Sequence, residues 1–178
     1  MILSSPGGRV LAPVLEKRSR HDGALVWGAG FGGACPGVGY RYDTLNDIAT
    51  LPSGLVIAVG YGLNCSGPVG ELPGYTSPSW PYAFTVARFD ASTGDALWRR
   101  YLPEIAASGA ATSALVGPDG QILVGGIVAW PPVGGTAAPY VAKLDPETGS
   151  PVWEYGDPAR GGFTSSLVLD PAGDVFFA

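Results

Sequence analysis

Phe84–Trp98 reads FTVARFDASTGDALW, and Pro139–Trp153 reads PYVAKLDPETGSPVW. Asp90, Thr93, Gly94 and Trp98 recur as Asp145, Thr148, Gly149 and Trp153, each 55 positions later. Short strand-like runs repeated at such a period specify units that stack, because one unit cannot bury its own faces. Each letter has a physical job. The Asp can accept N–H bonds from residues two positions on. The Gly can take the positive φ that closes a tight hairpin. The Trp, on an outer strand, is expected to be largely buried between adjacent units.

A second pattern frames the first. Ile48–Ala58 (IATLPSGLVIA), Ala114–Val124 (ALVGPDGQILV) and Ser166–Phe176 (SLVLDPAGDVF) are each an apolar strand, a Gly-containing turn and a second apolar strand. A weaker copy of the Trp pattern comes earlier: Gly23–Trp27 keeps the Gly-x-x-x-Trp spacing, with Ser19 in the place of the Asp. No segment holds a helical period. The reading is an all-β, propeller-like chain of four-stranded antiparallel blades, with strands a to d from the centre outwards. Two blades are whole, at 44–102 and 110–156. A partial blade within 1–29 has strands at 9–18 and 24–29, and another at 163–178 has strands at 163–169 and 174–178. Together they predict an open arc.

Composition bounds the partners. Of 178 residues, 46% are apolar, 28 are Gly and 17 Pro, which suits a folded chain punctuated by turns. Charged residues are 14%, below the roughly 25% of average domains, so faces buried against neighbours are expected. A net charge of −5 without a basic stripe argues against nucleic acid. The longest aliphatic run, Leu55–Val59, is too short to span a bilayer. The opening MILSSPGGRV has neither the charged nor the apolar region of a signal peptide. The closing Asp174–Ala178 falls inside a predicted strand. A fragment is therefore expected, whose partner is the rest of a propeller ring.

The pattern Asp-x-x-Thr-Gly-x-x-x-Trp, at Asp90–Trp98 and Asp145–Trp153, resembles the bacterial pyrroloquinoline-quinone-like (PQQ-like) β-propeller repeats of the quinoprotein alcohol-dehydrogenase type. The resemblance covers roughly residues 40–178 and implies one four-stranded blade per copy. It also implies an exported protein, whether periplasmic, cell-surface or secreted. PQQ is a cofactor by resemblance only, since no central-channel ligands can be matched. Catalytic, cofactor and metal residues are accordingly expected to be none.

Other motifs yield mostly to turn chemistry. Gly28–Gly33 satisfies Gly-x-Gly-x-x-Gly, but a dinucleotide site needs a helix next, and Pro36, Gly37 and Gly39 forbid one. His21 is the sole histidine, beside Asp22 in a predicted turn, which leaves no Ser-His-Asp or Cys-His pair. Asp43 with Asp47, or Glu71 with Glu104, could serve glycoside hydrolysis only at the right separation. Asp170–Asp174 reads as a turn, not a calcium loop. Asn64-Cys65-Ser66 is a glycosylation sequon by letters alone. Cys35 and Cys65 fall in loops on one face by strand parity, either bridged or as free thiols. That face carries the long connections. It is aromatic, with Tyr42, Tyr61, Trp80 and Trp130 near Asn64. Such rings suit a carbohydrate or protein ligand. The expectation is a non-enzymatic binding or scaffold module. The rivals are part of a quinoprotein oxidoreductase and a propeller glycosidase or lyase.

Overall fold

A computed structural model describes residues 4–5, 8–9, 14–31, 43–51, 53–63, 82–103, 108–129 and 137–178. Its elements are strands: β1 (Ser4–Ser5), β2 (Gly8–Arg9), β3 (Val14–Arg18), β4 (Leu25–Gly30), β5 (Thr44–Thr50), β6 (Leu55–Leu63) and β7 (Tyr82–Asp90). There follow β8 (Ala96–Leu102), β9 (Ser108–Val116), β10 (Ile122–Ala129), β11 (Ala137–Leu144), β12 (Pro151–Gly156), β13 (Leu167–Leu169) and β14 (Val175–Phe177). Two four-stranded antiparallel sheets, β5-β6-β7-β8 and β9-β10-β11-β12, are flanked by the two-stranded sheets β3-β4 and β13-β14, and β1-β2 forms a further small hairpin. We call these the second, third, first and fourth units in chain order, the first being β3-β4.

Of the strand expected at 9–18 the structure describes Arg9, in β2, and Val14–Arg18, as β3, with 10–13 outside the described residues. One predicted strand comes out shorter: the strand expected at 163–169 starts at Leu167. The backbone before it is used across the junction instead: Gly162 N donates to Ala137 O (3.2 Å) and Thr164 N to Gly126 O (3.0 Å).

The core explains why β6 reads LVIAVGYGL without polar alternation. Val56 and Ala58 pack with Leu15, Phe31, Ala87 and Phe89 on the side of the first unit. Ile57 and Val59 pack with Phe84, Val86, Ile122, Val124 and Tyr140 on the side of the third. Successive residues face opposite sides of a strand, so a sheet covered on both faces is apolar at every position. Leu123 and Val141 of the third unit likewise meet Leu167 of the fourth. The sheets are therefore stacked face to face in chain order. Phe84 and Tyr140 cross the central layer edge to face, with centroids 5.1 Å apart.

Register repeats with the sequence. In the first, second and third units a cation stands directly opposite a Trp: Lys17 opposite Trp27, Arg88 opposite Trp98 and Lys143 opposite Trp153. A bulge follows each cation, between Lys17/Arg18, Arg88/Phe89 and Lys143/Leu144. A second bulge recurs on the a strands, where Asn46 of β5 and Thr112 of β9 are the extra residues.

Candidate functional site

The repeated turn links successive units by polar contacts. Asp90 Oδ1 accepts from the backbone N–H of Ser92 (2.7 Å) and Thr93 (3.1 Å). Asp145 Oδ1 does the same for Glu147 (3.1 Å) and Thr148 (2.8 Å). These bonds hold both carboxyls below their usual value, that of Asp90 chiefly through the Ser92 hydroxyl and that of Asp145 chiefly through the Thr148 N–H. Gly94 and Gly149 close the turns at φ +81° and +69°.

The turn so shaped offers one carbonyl to the unit before it. Trp27 Nε1 donates to Ala91 O (2.9 Å), and Lys17 Nζ donates to the same oxygen (2.8 Å). One unit on, Trp98 Nε1 donates to Pro146 O (3.0 Å), again joined there by the cation, Arg88. Arg88 is 6% exposed and also pairs with Glu147 (3.1 Å). The indole ring lies on the turn glycine. A Cβ built on Gly94 would come within 2.8 Å of Trp27 Cδ2, and one on Gly149 within 2.9 Å of Trp98 Cε3. The glycine is thus required twice, by its φ and by the ring above it.

Trp153 departs from the expected burial. Trp27 and Trp98 are half-buried, but Trp153 is 39% exposed, and among the described residues its Nε1 has no acceptor. Its opposite cation, Lys143, turns to Asp119 Oδ2 (2.7 Å) in its own sheet. The physical reason is that no described turn lies where Ala91 and Pro146 lie for the other two.

The a strands carry a second tie. Bulged Asn46 donates through Nδ2 to Ala111 O (2.6 Å), and bulged Thr112 donates to Thr164 O. Ala111 and Thr164 hold the same place in successive units. Beside Asn46, Asp47 Oδ2 accepts from Ala114 N (2.9 Å) and Oδ1 from Ile48 N (2.8 Å). Both oxygens of Asp47 therefore serve backbone, and its expected pairing with Asp43 as a hydrolytic dyad meets a carboxylate already engaged.

The long-connection end is described at Tyr61 and Tyr82. Strand direction brings the end of β6, the start of β7 and Asp43 before β5 together there. The rings of Tyr61 and Tyr82 meet edge to face at 5.3 Å. Asp43 is 7% exposed, and a Cβ on Gly62 would lie 2.8 Å from its Oδ1, so backbone and carboxylate are in close approach. Tyr42, Asn64, Trp80 and Trp130 lie outside the described residues, as do Cys35, Cys65, Glu71 and Glu104. His21 is exposed in the Ser19–Gly23 turn. Gly28 and Gly30 lie within β4, and Gly32 and Gly33 lie outside the described residues. Asp170 Oδ1 accepts from Ala172 N (2.9 Å) and Asp174 N (2.8 Å), which is turn chemistry.

Among the described residues no helix is long and apolar enough to cross a membrane, and no three His, Cys, Asp or Glu gather as metal ligands. No protein-family model matches the chain, and no curated protein matches it in sequence.

Proposed function

We propose that the chain is an arc of a β-propeller, its second and third units being whole blades and its first and fourth being halves, and that it serves as a non-enzymatic binding or scaffold module. The observation that carries the reading is the repeated junction, in which the Trp27–Lys17 and Trp98–Arg88 pairs each grip one carbonyl of the next turn. Two equivalent joints between successive sheets support a regular step from unit to unit, as radial repetition about an axis requires. Nothing in the joints is spent on chemistry. Their donors hold turn carbonyls, Ala91 O and Pro146 O, with Arg88 also paired to Glu147.

The ligand face is the long-connection end, where Tyr61, Tyr82 and Asp43 meet and where sequence places Trp80 and Trp130. Flat rings beside a carboxylate suit a carbohydrate or an extended peptide. The test is titration with a panel of soluble oligosaccharides and extended peptides, read by intrinsic fluorescence. One class is expected to bind, and Tyr61→Ala, Trp80→Ala and Trp130→Ala each to weaken it at least about tenfold, the loss of roughly 1.4 kcal/mol of contact, with the β-sheet circular dichroism retained. Binding unaffected by all three substitutions would place the ligand elsewhere and end this part of the reading.

A further inference from the structure

We draw no further inference here: the strongest candidate, the rim of turn carboxylates Asp90, Asp119, Asp145 and Asp170 at the end of the sheets opposite the long connections, carries nothing, because each already accepts backbone N–H bonds of its own turn and no second observation there points to a ligand.

Discussion

Two glycines at similar positive φ make unequal demands. Gly149, at +69°, lies under the Trp98 ring, while Gly120, at +79°, has open space where a Cβ would go. Gly120→Ala meets only the left-handed backbone cost of roughly 1–2 kcal/mol. Gly149→Ala adds displacement of a packed ring and is expected to cost about 3 kcal/mol or more in all. Urea denaturation of the two variants checks the difference, and equal losses would show that the ring does not seat on the turn. The aspartates of the same turns set the acid limb. Asp90 and Asp145 are held below their ordinary 3.8 by hydrogen bonds that favour the charged form. The folded state thus binds these protons less tightly than the unfolded chain. Their contribution is complete above the unfolded-state value and is lost as pH falls through the lowered folded value. Asp90→Asn with Asp145→Asn keeps an oxygen for the turn N–H groups but removes the titration. Below about pH 4 the double variant is expected to lose stability less steeply than the wild type, as thermal melts across that range would report. An unchanged slope would dissociate these turns from acid unfolding.

At the level of strands, the bulges of β5 and β9 set a harder limit than the turns. A Cβ on Gly60 would fall 1.8 Å from Thr44 O, and one on Gly126 falls 2.1 Å from Ala110 O. Neither contact can be relieved by a side-chain rotation, because the obstacle is backbone. Gly60→Ala and Gly126→Ala are expected to cost about 3 kcal/mol or more each and to speed amide exchange along the bulged pair. Asp47→Ala leaves the Ala114 N–H without its acceptor, a loss of roughly 1–3 kcal/mol if water does not replace it. Exchange at Ala114 should then rise more than at Val124. The turns were legible in the letters because Asp, Thr, Gly and Trp are each nearly irreplaceable in their backbone roles. The ties on the a strands were not. Asn46 and Thr112 do one job with different side chains, and so do Lys17 and Arg88. Their spacing hides them too. The connection after β6 is longer than the one after β10, so Asn46 and Thr112 do not share the 55-residue interval. Trp153 was expected to be largely buried because its letters match Trp98; its exposure depends on a neighbour that a repeat within one chain does not reveal.

Stability across the whole molecule should be graded. Sheets two and three share the largest buried cluster, including Ile57, Val86, Val124 and Tyr140. The fourth unit has two three-residue strands, with Phe176 61% exposed. Two-stranded sheets are marginal alone. The β13-β14 amides are expected to exchange on the order of 100-fold faster than those of β6 and β10, which open only with the core. Uniform protection would mean that the flanking hairpins are held by something other than the stack. The stacking order itself was readable from β6, whose unbroken apolar run requires cover on both faces. The end that carries the long connections was readable only from connection lengths, because the aromatic letters there share no spacing.

The two-donor grip on a single carbonyl has a consequence for how such a molecule can change in number of parts. Donors and acceptor never belong to the same unit, yet the second and third units each carry the parts of both: a cation and Trp looking forward, and a turn looking back. A copied segment inserted between two units would therefore meet a compatible neighbour on each side from its first generation, with no new joint to evolve. Loss of a segment would heal in the same way. The glycine under the ring is what such duplication cannot alter, whereas the connections at the far end are free to diverge in every copy.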